Sequence, residues 1–100
     1  MIARIWRGRT KKENADVYWK FLTHNAEDDC RHTKGNHGVS VCKRIMGDYA
    51  EFVFISFWES LEAVKTYAGD DIDKAHYFPE DLKYVIDPST HVEHYEVFSV

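Results

Sequence analysis

Glu51-Phe52-Val53-Phe54-Ile55-Ser56-Phe57-Trp58 is the stretch that decides the fold. Side chains alternate across a β-strand, so Phe52, Phe54 and Trp58 point one way and Val53, Ile55 and Phe57 the other. A half-buried strand carries polar residues on one face. Here both faces are apolar, and such a strand needs cover on both. The chain's own helices can supply one cover. It has no second sheet to spare for the other, so a second copy of the chain is the expected partner and a homodimer the expected state.

The elements follow outward from that strand. Gly47-Asp48 is a tight hairpin connection back to a strand over 39–46, and Gly35 and Gly38 mark the turn before it. At the N-terminus, residues 2–7 alternate and carry Ile2, Ile5 and Trp6, which predicts the first strand, with Gly8 and Arg9 leaving it. Thr10-Lys11-Lys12-Glu13 has the form of a capping box. Ala15, Tyr18, Trp19, Leu22 and Ala26 then recur at helical spacing, with Val17 and Phe21 widening the apolar stripe, and the helix fades through Glu27-Asp28-Asp29. Downstream, Ser60 can cap a second helix whose buried face is Ala63, Val64, Tyr67 and Ala68 and which Gly69 ends. A polar loop, 70–74, leads to Ala75-His76-Tyr77-Phe78. Pro79 suits the first turn of a short third helix, with Leu82, Val85 and Ile86 as its apolar face and Pro88 as its stop. Residues 92–98 read as the last strand. The order β-α-β-β-α-β, with a short extra helix before the last strand, is the α+β ferredoxin-like arrangement with a four-stranded antiparallel sheet.

One hundred residues suit a single domain over 1–100. A domain of this size leaves much of its surface exposed, which a partner subunit would relieve. The 17 acidic against 13 basic residues give a net charge of −4, the opposite of the basic balance of a nucleic-acid binder. No apolar run is long enough to span a bilayer, and the N-terminus lacks the apolar core of a signal peptide, so the expected location is the cytoplasm, with no membrane partner. Cys30 and Cys42 are too few for a disulfide framework and are expected as free thiols. Aromatic residues make up 15% of the chain, enough rings to fill a core or to line a pocket.

Taken together, Trp6-Arg7-Gly8-Arg9, Gly35-Asn36-His37-Gly38-Val39, Phe57-Trp58-Glu59-Ser60-Leu61-Glu62-Ala63, Ala68-Gly69-Asp70-Asp71-Ile72, Tyr77-Phe78-Pro79-Glu80-Asp81 and Val92-Glu93-His94-Tyr95-Glu96-Val97 resemble a small bacterial branch of the antibiotic biosynthesis monooxygenase-like superfamily. Each motif is weak alone; as a set they run through nearly the whole chain. The resemblance implies a dimeric α+β barrel, two four-stranded sheets packed face to face, with a pocket in each subunit between sheet and helices. It does not imply one reaction, because the superfamily includes cofactor-independent quinone-forming monooxygenases, haem-degrading enzymes, isomerases and members without known activity.

A cofactorless oxygenase needs an apolar slot for an electron-rich ring and a base that favours the substrate's anion. Arg4 and Trp6 share one face of the first strand, as do Phe54, Ser56 and Trp58 on the third, while Tyr67, His76 and Tyr77 belong to the helix and loop above. Trp6, Phe54, Trp58, Tyr67 and Tyr77 are therefore expected to bind substrate, His76 to act as the base and Arg4 to stabilise a phenolate or enolate, with no cofactor and no metal. The plainer alternative is that the rings are core and His76 is a surface loop residue. His94 joins the substrate-binding set; a histidine inside a strand is more often a hydrogen-bonded core residue. The expected function is a cofactor-independent monooxygenase acting on an aromatic or polyketide-like molecule, and the alternative a non-catalytic ligand-binding or stress-response dimer. Haem degradation is disfavoured: alignment to the haem-degrading members puts Tyr77 where their axial histidine lies, beside His76, Tyr67 where they carry a tryptophan, and Arg7 where they carry an asparagine. His24, Asp28, Cys30, His32 and His37 lack the spacing of a zinc site and read as a polar helix end and loop. Glu59, Glu62, Glu80 and Asp81 are explained by their places at helix starts.

Overall fold

The computed structural model describes residues 1–99. Four strands, β1 (Ile2–Lys11), β2 (Asn36–Met46), β3 (Tyr49–Trp58) and β4 (Glu93–Glu96), form one antiparallel sheet in the order β2-β3-β1-β4. Three α-helices, α1 (Ala15–Asn25), α2 (Leu61–Ala68) and α3 (Pro79–Tyr84), connect them. This is the ferredoxin-like α+β arrangement, with the short third helix ahead of β4.

Register assigns the two faces. Ile2, Arg4, Trp6, Gly8 and Thr10 lie opposite Trp58, Ser56, Phe54, Phe52 and Ala50. On that face Ala15, Tyr18 and Leu22 of α1 pack with Ala50, Phe52 and Val85, and Cys30 and Val64 pack with Trp58. The other face carries Ala3, Ile5, Val53, Ile55 and Phe57, the second apolar set read from the alternation. No helix of the described residues is long and apolar enough to cross a membrane.

Five local readings are corrected. Gly8 does not end β1; it sits inside the strand, and a Cβ there would stand 2.3 Å from the Trp6 ring, so glycine is what lets the indole lie across the strand. Thr10 forms no capping box, because β1 runs on through it and its hydroxyl donates to the Lys11 carbonyl at 2.9 Å. The first helix does not fade at Glu27; it continues as a π-helical turn over Ala26–Cys30, which turns Cys30 into the core. Leu82, expected on the buried face of α3, is 57% exposed, while Asp81 beside it is buried. At the C-terminal end β4 is shorter than read, and Phe98 lies outside it, 89% exposed. Ser60 does cap α2, accepting from the Ala63 amide at 3.2 Å, and Gly69 follows it at a φ of 85°.

The segment after α2 is tied to the segment before β4 by backbone bonds, Val92 N–H to Asp73 O at 2.8 Å and Ala75 N–H to Thr90 O at 2.9 Å. Those bonds hold the loop from Ile72 to Phe78 as a wall above the sheet.

Candidate functional site

A cavity of about 670 Å³ lies between the helix face of the sheet, α1, the end of α2, that loop and α3. This is the size range of small-molecule sites. Of the residues expected from the sequence, Arg4, Trp6, Phe54, Tyr67, His76 and Tyr77 all line it. Trp58 and His94 do not. Trp58 is fully buried beneath the wall, donating to Ser56 Oγ at 2.8 Å and packed under the Tyr67 ring at 5.1 Å between centroids. His94 stands behind Arg4.

Arg4 is held from outside the cavity. Its Nη1 donates to the Ile72 carbonyl and lies 3.1 Å from His94 Nε2, and Nη2 lies 3.5 Å from Lys74 O. A guanidinium can only donate, so His94 Nε2 accepts and the ring proton sits on Nδ1, which donates to Asp73 Oδ1 at 3.0 Å. Burial, and then the charge of Arg4, hold the His94 pKa below its ordinary value against the pull of Asp73, which favours the neutral ring this geometry needs. Arg4 itself is 8% exposed. No side-chain carboxylate of the described residues lies within 4.0 Å of it. A cation buried without an anion leaves a favourable place for one.

Along the same wall, Trp6 Nε1 donates to the Tyr77 hydroxyl at 2.9 Å, and that hydroxyl donates to Ser89 O at 2.6 Å. Both rings are thus fixed as surfaces rather than free reactive groups. His76 sits at the exposed rim with Nε2 3.1 Å from Ala68 O. A carbonyl only accepts, so Nε2 carries the proton and the Nδ1 lone pair is left free. Tyr67 packs its hydroxyl against the Cys30 thiol, and burial pushes both groups up from their ordinary pKa values.

Asp81 was assigned from sequence to a helix start. It does accept the Phe78 amide at 2.8 Å in that role. It also accepts the Tyr18 hydroxyl at 2.7 Å, is 6% exposed and lines the cavity. Burial pushes its pKa up, against the lowering effect of both hydrogen bonds. His24 and Asp28 pair at 2.9 Å on the surface, and among the described residues no third ligand joins them.

Neither a family model nor a curated protein sequence matches the chain. Solved structures do. A protein from Deinococcus radiodurans, provisionally described as an antibiotic biosynthesis monooxygenase, superposes with a TM-score of 0.72 at 19% identity, over 100% of this chain and 95% of its own. One from Bacillus cereus with the same provisional description gives 0.69 at 17%, over 99% and 96%. The haem-degrader MhuD from Mycobacterium tuberculosis, solved with two haems bound in its active site, gives 0.66 at 19%, over 100% and 99%. The chain therefore has the fold of antibiotic biosynthesis monooxygenase structures, as the motifs suggested, and at these identities the likeness speaks for the fold alone.

Two of the candidate haem-ligating atoms are engaged within the chain, while His76 Nδ1 keeps its lone pair. His76 Nε2 is taken up by Ala68 O, and the Tyr77 oxygen is held by both Trp6 and Ser89. Arg7, expected where the haem-degrading members carry an asparagine, faces the other side of the sheet and pairs with Glu93 at 3.2 Å.

Proposed function

We propose that the cavity binds an aromatic or polyketide-like hydroxy compound as its anion and that the protein is a cofactor-independent monooxygenase for it. The observation that carries this reading is Arg4, a buried guanidinium without a carboxylate partner in a wall of aromatic rings. It would hold the phenolate or enolate oxygen, in a water-poor setting where that interaction is strengthened. His76 would take the hydroxyl proton on its free Nδ1 and release it to solvent at the rim. Trp6, Phe54, Tyr67 and Tyr77 would form the slot. The step balances without another reductant: a phenol with a hydrogen on its para carbon, plus O₂, gives a quinone and water. The ring anion supplies the electrons, one oxygen atom bonds to the para carbon, and the other leaves as water with the two hydrogens.

The test is oxygen uptake and quinone absorbance across dihydroxynaphthalenes and hydroxyanthrones, with binding followed by calorimetry. Uptake is expected for a ring that binds, falling about 100-fold or more in His76→Ala. Rings that bind tightly and consume no oxygen would sink the oxygenase and leave a ligand-binding protein.

The same reading makes the protein a homodimer through the sheet face of Ala3, Ile5, Val53, Ile55 and Phe57, the apolar set turned away from the helices. Sedimentation should give twice the chain mass of 11.8 kDa; a monomer at micromolar concentration would reject the pairing.

A further inference from the structure

We propose that the ligand of this cavity is two-poled: an elongated aromatic molecule with an ionised acidic group at one end, facing Arg4, and a neutral hydroxyl or other hydrogen-bond donor at the other, facing Asp81. This deepens the reading above and rests on its assignment of the cavity as the ligand site, but not on oxygen chemistry.

Two observations carry it. First, Arg4 and Asp81 are the only Arg, Lys, Asp or Glu side chains buried among the described residues, and both line this one cavity. Buried charges of opposite sign ordinarily pair with each other. These do not; each is held separately by neutral groups, Arg4 by two carbonyls and a neutral imidazole, Asp81 by a hydroxyl and an amide.

Second, the sheet register sets them apart. Arg4 lies beside Ser56 and His94 in the ladder. Asp81 is bonded to Tyr18, whose ring packs edge-on to Phe52, and Phe52 pairs with Gly8. From Arg4 to Gly8 is four residues of strand, about 13 Å. Between them stand Trp6 and Phe54, which pair across the ladder and present apolar surface. Two or three fused rings fill that distance, with one polar substituent reaching each end.

The ends differ in what they accept. Arg4 offers donors and a fixed positive charge, so it selects an anion. Asp81 already accepts one hydrogen bond on each oxygen and has a further lone pair on each. It can take a hydroxyl proton donor, and it repels a second anion. A second carboxylate is therefore disfavoured at the Asp81 end.

Calorimetry on the wild-type protein with four naphthalene probes tests this without relying on any variant: 6-hydroxy-2-naphthoate, 2-naphthoate, 2-naphthol and 2,6-naphthalenedicarboxylate. The hydroxynaphthoate should bind tightest, with the hydroxyl and the carboxylate each contributing about tenfold or more, and the dicarboxylate should be weaker than 2-naphthoate. In Asp81→Asn, where the amide can still serve both Phe78 and Tyr18, the penalty on the dicarboxylate should vanish. In Arg4→Lys the advantage of the acid should persist in reduced form, and in Arg4→Met it should disappear. Equal affinity of 2-naphthoate and its hydroxy derivative, or a dicarboxylate that binds as well as the monoacid, would overturn the two-pole assignment. No binding of any probe would overturn the cavity assignment with it. Binding in the expected order, with no oxygen uptake from the dihydroxynaphthalenes and hydroxyanthrones that carry a hydrogen para to a hydroxyl, would remove the oxygenase alone.

Discussion

The two ends of the cavity reach burial of an ionised group by opposite means. At the Arg4 end, the support comes from loop backbone and from β4: Ile72 and Lys74 carbonyls, with His94 and Asp73 behind. At the Asp81 end it comes from packed rings, Tyr18 against Phe52, Phe21 and Tyr84. An arginine stays charged through any accessible pH, so its end answers burial by adding acceptors. A carboxyl can neutralise, so its end answers by a raised pKa. One end is thus fixed in charge, and the other is titratable.

Breaking the fixed end should have the larger effect. Arg4→Met leaves two backbone carbonyls and the His94 ring without their donor, and a buried acceptor so orphaned costs about 1–3 kcal/mol. Urea unfolding should show a loss of about 2–4 kcal/mol, with the loop after α2 opening first in hydrogen exchange. A loss below that of an ordinary surface substitution would mean the loop carbonyls find water instead.

At the titratable end, Tyr18→Phe removes one hydrogen bond and keeps the ring, for an expected loss of about 1–2 kcal/mol near neutral pH. The same bond lowers the Asp81 pKa. Its removal should therefore push that pKa further up, readable from the carboxyl carbon in an NMR titration. A pKa that falls in Tyr18→Phe would contradict the lowering role of that hydrogen bond.

Asp81→Asn separates the ends by sign. The folded pKa of Asp81 is raised above its ordinary 3.8, so the folded state binds more protons than the unfolded one in that window. Its favourable contribution is complete below the unfolded pKa and is lost as pH rises through the folded one. Asp81→Asn should match wild type most closely near pH 4 and become relatively more stable toward neutrality. Urea midpoints for both proteins across that range check the trend, and a difference that does not vary with pH would refute it.

These ends were not equally legible. Arg4 was legible because strand faces follow from a period of two, which puts it beside Trp6, although it also belongs to the basic run Arg4, Arg7, Arg9, Lys11 and Lys12 that reads as a solvated edge. Asp81 was hidden because an acid in the first turn of a helix already has a sufficient local explanation, and only the tertiary contact with Tyr18, 63 residues away, reveals its second use. Gly8 misled for a related reason. It resembles a strand end, while its cause is the ring of Trp6 lying over it. The sheet order and the two apolar faces followed from alternation; the π-helical turn at Ala26–Cys30 carries no comparable period and was missed.

His94 provides the smallest effect and the most specific check on the fixed end. Its imidazole must be neutral to accept from Arg4, and its pKa is lowered from 6.5 by burial first and by Arg4 after the opposing bond to Asp73. Around it the charged groups are Arg4 and Asp73, which oppose each other, and burial sets the direction of the shift. A histidine whose folded pKa is depressed leaves the unfolded state with more bound protons below 6.5, so stability should fall as pH drops through that value toward the folded pKa. His94→Gln supplies an equivalent acceptor for Arg4 and donor for Asp73 without a titrating ring. The stability difference between wild type and His94→Gln should therefore be flat above pH 7.5 and tilt against wild type on acidification, while the other five histidines cancel between the two proteins. A tilt in favour of wild type would mean that Asp73, not Arg4, governs the ring, and that Arg4 is held by the loop carbonyls alone.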